Sequence, residues 1–208
     1  MSKKKTIAVA VVLALVLIIG GLLAYFTDTD TTTNVFTLGD NIEISLSEPN
    51  WDTTDSNSNN IPDAAEKVHP GVTIDKDPTI TNDSTTTPAY VFAEVIVPCY
   101  ASTGTTVDTP LYSLDTIGSG WTLIDTSSVD TTNKTITYVY AYGTSSAMTS
   151  LVANGSTSAV FSSVTVAPTL TSAQKATASN TPDIVVNAYG IQTDGLDVTA
   201  PADIFDLF

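Results

Sequence analysis

The chain has 208 residues, with 22 acidic side chains against seven lysines and no arginine, which gives a formal net charge of −15. Such a chain repels nucleic acid and anionic membranes, and it lacks the basic side chains that phosphate binding needs. Nucleic-acid binding is therefore excluded. Thr, Ser, Val, Ile and Tyr are abundant, whereas Lys, Gln and Glu are scarce, so the composition predicts a mostly β-stranded protein.

The N-terminal stretch predicts export. Three lysines, Lys3 to Lys5, precede an apolar run from Ile7 to Ala24, whose 18 residues carry no charged or hydrogen-bonding side chain. A helix of this length nearly spans a hydrocarbon core of about 30 Å, so the run is long for a signal peptide and short for a membrane anchor.

We predict that residues 1–25 form a hydrophobic signal helix, which signal peptidase removes at Ala24/Tyr25 or Tyr25/Phe26. The alternative is that the uncleaved helix stays in the membrane as an anchor. The mature protein is expected outside the cell, in the extracellular matrix or at the cell surface.

Residues 26–36 are predicted to form an N-terminal arm, because the Thr- and Asp-rich segment between Thr27 and Asn34 has no apolar face to bury. Downstream, Ile42, Ile44 and Leu46 alternate with polar residues, which predicts a strand with one buried face. Residues 37–208 are predicted to form one β-rich domain that contains a polar insertion at residues 48–66.

Part of this insertion follows the spacing of a twelve-residue calcium loop. The candidate ligands are the side chains or carbonyl oxygens of Asp55, Asn57, Asn59, Ile61, Asp63 and Glu66. Calcium requires six or more oxygen ligands, which these residues could supply, and calcium is the one candidate cofactor. A solvated loop without an ion is the alternative.

Three further patterns predict how strands and the C-terminus are buried. The segment Ala89–Val97 is apolar except at Glu94, which predicts a strand buried on both faces of a sandwich. In a later strand, Val160 and Phe161 are predicted to lie on opposite faces. The C-terminal residues 201–208 are predicted to form a helical turn that is too apolar to remain exposed.

A row of aromatic side chains is predicted on one face of the strand 135–142. Tyr138, Tyr140 and Tyr142 share this face with Ile136. The face is interpreted as a packing surface, with a carbohydrate- or partner-binding surface as the alternative.

The chain contains one cysteine, Cys99, and one histidine, His69. A lone cysteine excludes an intramolecular disulfide, and its apolar surroundings predict a buried, unreactive thiol. One histidine cannot provide a His-paired zinc site, and no serine–histidine–aspartate arrangement is visible. We therefore predict that the chain has no catalytic residues and is not an enzyme.

Four phrases of the sequence together resemble a known family. They are Ala24-Tyr-Phe-Thr-Asp28, Val35-Phe-Thr-Leu-Gly39, Lys76-Asp-Pro-Thr-Ile-Thr-Asn82 and Val185-Val-Asn-Ala-Tyr-Gly-Ile-Gln192. The chain resembles the TasA/camelysin family of Gram-positive secreted proteins, whose signals are cut by a dedicated SipW-type peptidase. The resemblance implies an all-β fold, a jelly-roll-like antiparallel β-sandwich with a few short helices.

For the TasA branch the resemblance also implies assembly into extracellular biofilm matrix fibres, in which the arm of one subunit adds a strand to the next. The arm's apolar residues Phe26, Val35 and Phe36 are the candidate assembly residues. The partners would be further copies of the chain, joined head to tail in an open filament, and other matrix proteins. The alternatives are a monomeric cell-surface adhesion or binding domain and a camelysin-like metallopeptidase.

Overall fold

The computed structural model describes residues 42–59, 61–66, 68–178 and 183–208. The predicted signal peptide, its cleavage site and the arm at residues 26–36 lie outside the described residues. The chain divides into two units, at residues 1–38 and 39–208. The structure described below is that of the second unit. None of its described helices is both long and apolar enough to cross a lipid bilayer.

The described part of the chain is mostly β-structure, as the composition predicts. Its strands are β1 (Ile44–Ser47), β2 (Thr73–Asp75), β3 (Thr79–Asn82), β4 (Ala89–Tyr100), β5 (Thr109–Pro110), β6 (Tyr112–Ile117), β7 (Trp121–Thr126), β8 (Thr135–Tyr142), β9 (Phe161–Val166) and β10 (Val185–Gln192). The helical pieces are short: a 3-10 turn (Asp63–Ala65), α1 (Ser172–Lys175) and α2 (Pro201–Phe205).

The strands pair antiparallel in two layers. The first sheet has the order β10-β4-β8-β7, with β5 paired to the end of β4, and the second has the order β2-β9-β6. β1 pairs with β3, and β3 is in turn bonded to the segment before β9 through Thr157 N–H and the Ile80 carbonyl, 2.9 Å apart. β1 and β3 thus extend the second sheet, and the layers curve into a half-barrel.

β4 lies at the centre of the first sheet and is buried on both faces, which confirms the prediction from its sequence. Val91, Ala93, Val95 and Val97 are fully buried in the core between the two sheets. The one charge in the strand, Glu94, points to the other face. Its carboxylate accepts hydrogen bonds from Asn187 Nδ2 and Tyr189 Oη, at 2.8 and 3.1 Å.

The C-terminus covers the outer face of β4. Pro201 occupies the first turn of α2, where its fixed φ favours a helix and its missing N–H costs nothing. The helix buries Ile204 to 1% exposure, and the ring of Phe92 lies 5.3 Å from that of Phe205 and 6.0 Å from that of Phe208. The prediction of a packed C-terminal turn is confirmed.

The predicted separation of Val160 and Phe161 onto opposite faces is wrong. Both side chains are fully buried in the same core between the sheets. The alternation rule requires a continuous strand, whereas β9 begins only at Phe161. Val160 precedes it in an irregular segment, where its N–H donates to the Pro78 carbonyl at 2.8 Å.

Candidate functional site

Residues 48–51 of the polar insertion, which precede the calcium-like loop, are bonded to the segment between β2 and β3. Asn50 donates through its backbone N–H and its Nδ2 to the two carboxylate oxygens of Asp77, at 2.9 and 2.7 Å. Lys76 Nζ lies 2.6 Å from Glu48 Oε1 and 5.1 Å from the centre of the Trp51 ring. These contacts hold residues 48–51 beside the connection between β2 and β3.

Beyond this anchor, the insertion covers an opening into the core. Trp51, Ile61 and Pro62 face Ile74 of β2 and Val164 of β9 across a cleft of about 490 Å³. Ile74 and Val164 are paired neighbours in the second sheet. The insertion therefore shields core residues from water, so that the order of this loop is linked to the stability of the domain.

Side chains of the predicted calcium loop converge. Glu66 Oε1 accepts hydrogen bonds from Asn57 Nδ2, at 2.7 Å, and from Asn59 Nδ2. The Asn59 N–H donates to Asp55 Oδ1 at 3.2 Å, and the Asp63 carboxylate accepts from Ser56. The amide nitrogens of Asn57 and Asn59 thus face the Glu66 carboxylate, while their amide oxygens accept hydrogen bonds from the N–H groups of Asn59 and Ile61. Whether the loop binds calcium stays a prediction, because the same hydrogen bonds also hold a loop without an ion.

The last strand of the first sheet presents a long unpaired edge. Among the described strands that pair on one side only, β10 is the longest, with eight residues, and none of them is charged. It pairs with β4 without a register shift, from Val185 with Ile96 to Gln192 with Ala89. β7, by contrast, carries a shift between Leu123 and Asp125. Sheet edges without charges or bulges are ready sites for strand addition.

The beginning of the described chain lies against this strand. An ideal Cβ placed on Gly190 would be 2.9 Å from Ile44 Cγ2 and 3.2 Å from Ile42 Cγ2, so the missing side chain allows close approach. β1 nevertheless pairs with β3 and not with β10. Residue 42, which follows the region of the predicted arm, therefore lies beside β10.

The predicted aromatic face of β8 points into the core. Tyr138, Tyr140 and Tyr142 all pack against the residues between the sheets, and Tyr140 is 6% exposed. Burial raises the pKa of Tyr140 to about 12, with a smaller contribution from the neighbouring Tyr138. The packing interpretation of this face is confirmed for Tyr140.

Cys99 and His69 lie in opposite environments. Cys99 is fully buried, and burial, followed by the charge of Asp108, raises the pKa of its thiol to about 11. His69 is exposed in the turn before β2, where its carbonyl accepts from Val72 N–H at 3.1 Å. A fully buried thiol and an exposed imidazole do not form a nucleophile–base pair.

The comparison with family models gives one match. Residues 1–95 match the family described as camelysin metallo-endopeptidase. No curated protein matches the chain, and no solved structure does. The match covers three of the four resembling phrases, Ala24 to Asp28, Val35 to Gly39 and Lys76 to Asn82.

The name of this family implies a catalytic metal, and the residues described here do not fit one. Within residues 42–59, 61–66, 68–178 and 183–208, no group of three or more His, Cys, Asp or Glu side chains is placed to hold a metal ion. His69, the single histidine of the chain, is exposed. Over residues 1–95, the family match confirms the resemblance of this chain to the TasA/camelysin family.

Proposed function

We propose that this chain is a secreted structural subunit with a jelly-roll-like fold, which polymerises into extracellular matrix fibres by donor-strand addition. In this proposal, the arm at residues 26–36 of one subunit adds to the unpaired edge of β10 in the next. The observation that carries it is that edge: eight residues without a charge or a register shift, paired only with β4 within the described chain.

The physical basis is main-chain hydrogen bonding. A strand that adds to a sheet edge gains a ladder of backbone bonds, and alternate side chains supply specificity. Because the arm and the β10 edge are different surfaces, each subunit offers one of each. Such heterologous contacts form an open filament unless their rotation happens to close a ring. Because the arm of one subunit is complementary to the β10 edge of another, one secreted chain can build a fibre.

The first experiment removes the donor. Mature protein that lacks residues 26–36 should form no filaments in electron micrographs, whereas the mature protein with its arm should form them. A synthetic peptide of residues 26–36, added in excess, should also shorten the filaments of the intact protein because it occupies the acceptor edge. Unchanged filaments after the deletion would show that the arm is not the donor.

The second experiment tests the acceptor. Val185 lies at the start of β10 and is 45% exposed, so Val185→Asp places a charge on the edge with little loss of packing. The arm carries Asp28 and Asp30, which the new charge would repel. Val152→Asp is the matched control, because Val152 is 64% exposed and lies outside the strands. Only Val185→Asp should reduce filament formation, and equal effects would exclude β10 as the acceptor.

A further inference from the structure

A cleft lined by tyrosines opens between the two sheets. We name it the tyrosine cleft, after Tyr100 at the end of β4, Tyr112 on β6, and Tyr138 and Tyr140 on β8. Its volume is about 480 Å³, within the range of roughly 300–1,000 Å³ that is usual for small-molecule sites. Thr109, Ser113 and Thr165 add further hydroxyl groups to its wall.

The tyrosine cleft is uncharged, although the chain carries a formal net charge of −15. Its described lining consists of Tyr, Thr, Ser, Pro, Leu and Ala, without an acidic or basic side chain. The carboxylates of Asp108 and Asp115 lie next to this lining and accept hydrogen bonds from the hydroxyls of Thr109, Ser113 and Thr165. An anionic ligand would find no ammonium group in the wall and would meet the negative field of the whole protein. The chemistry of the wall therefore favours a neutral ligand.

The hydroxyl groups of the four tyrosines are free to bind such a ligand. Tyr100, Tyr112 and Tyr140 are 5%, 9% and 6% exposed, yet their hydroxyls have no hydrogen-bond partner in the described chain. No buried side-chain oxygen or nitrogen among the described residues lacks a partner, so these hydroxyls keep contact with solvent. The largely buried rings thus hold the tyrosine hydroxyl groups in fixed positions.

These phenols are neutral at physiological pH. Burial raises the pKa of Tyr112, Tyr138 and Tyr140, the last to about 12. A neutral phenol both donates and accepts a hydrogen bond, as a sugar hydroxyl does. Tyr138 is only half-buried, so part of its ring face is open to the C–H groups of a ligand.

From the uncharged wall, the free hydroxyls and the open aromatic ring, we infer that the tyrosine cleft binds a neutral carbohydrate of one or a few sugar units. The sugar ring stacks on Tyr138, and its hydroxyls bond Tyr100 and Tyr140. This site is separate from the β10 edge, so it gives the proposed fibre subunit a second activity, the binding of neutral glycans.

The test is saturation-transfer NMR on the full chain, purified in a detergent without a sugar head group. The probes are glucose, galactose, N-acetylglucosamine, maltose and cellobiose, with glucuronate as the charged match to glucose. At least one neutral sugar should receive saturation from the aromatic protons of the protein, and glucose should exceed glucuronate. If no neutral sugar binds at millimolar concentration, or if glucuronate binds as well as glucose, the inference is overturned.

Conservative variants locate the site. Tyr140→Phe removes one hydroxyl and keeps the ring, so it should weaken binding of the best sugar about two- to tenfold. Tyr142→Phe is the matched control, because Tyr142 lies on the same strand but packs edge-on against Trp121, at 5.3 Å, outside the cleft. Equal affinities of the two variants would overturn the inference, as would a peptide of residues 26–36 displacing the sugar from the cleft.

Discussion

Gly190 is the position at which one added methyl group should separate β1 from β10. The residue has no left-handed φ, so alanine is compatible with the backbone, and its effect comes from contacts alone. By itself, Gly→Ala reduces the entropy of the unfolded chain and stabilises by about 0.4–1 kcal/mol. The close contacts at Gly190 oppose this gain. Whether Gly190→Ala stabilises or destabilises the protein depends on which of the two free-energy contributions is larger.

The new Cβ would lie 2.9 Å from Ile44 Cγ2 and 3.2 Å from both Ile44 Cδ1 and Ile42 Cγ2. Carbon atoms in contact prefer about 3.5–4.0 Å, so the nearest pair is short by about 0.6 Å. Ile44 Cγ2 is attached directly to a branched Cβ and moves only with the strand or with the whole side chain. Overpacking of this kind costs about 1–3 kcal/mol, and Gly190→Ala should be destabilising by about 1–2 kcal/mol net.

Urea denaturation should show a lower midpoint with an unchanged slope. Ile44→Ala removes both close carbons of that side chain, so the double variant should be more stable than the sum of the two single changes predicts. A coupling of about 0.5–2 kcal/mol is expected for residues in contact. Additive effects, or a Gly190→Ala protein more stable than the parent, would refute the close approach of β1 to β10.

Four further outcomes are expected. Because Cys99 is fully buried and its pKa is raised to about 11, iodoacetamide should label it only as fast as the chain unfolds. Burial raises the pKa of Tyr140 from 10.0 to about 12, so the folded state holds this proton more tightly than the unfolded chain does. The midpoint of urea denaturation should therefore be constant below about pH 10 and should fall as the pH approaches 12. The fall should be less steep in Tyr140→Phe. Ile204→Ala should cost about 2–5 kcal/mol, whereas Leu207→Ala, at a position 54% exposed, should change the midpoint little. Millimolar calcium should raise the melting temperature and Glu66→Gln should reduce the rise; no rise in the parent protein would remove the calcium loop.

Assembly and glycan binding use different parts of the domain. The β10 edge lies at one side of the first sheet, and the tyrosine cleft opens between β8 and β6. A variant such as Val185→Asp should therefore lose filaments and keep sugar binding, while Tyr140→Phe should do the reverse. This separation makes failure of one proposal distinguishable from failure of the other.

The sequence by itself determined the elements whose pattern is local and strong. The nearly unbroken apolar run of Ala89–Val97 requires a strand covered on both faces, and the apolar C-terminus requires a surface to pack on. The spacing from Asp55 to Glu66 brings polar side chains within one loop, where chain length alone keeps them near each other. The composition, rich in β-branched residues and tyrosine, was sufficient for the fold class.

Only the tertiary structure decided which strands are neighbours and which faces meet. β10 pairs with β4 across 93 residues between Glu94 and Asn187, and such long-range pairing depends on the arrangement of the whole chain. The alternation of residues along β8 predicts that its tyrosines share a face, but it does not predict which residues lie opposite that face. Tyr100 and Tyr112, from strands distant in sequence, complete the cleft. The alternation rule also failed at Val160, because a period of two holds only where the strand is continuous.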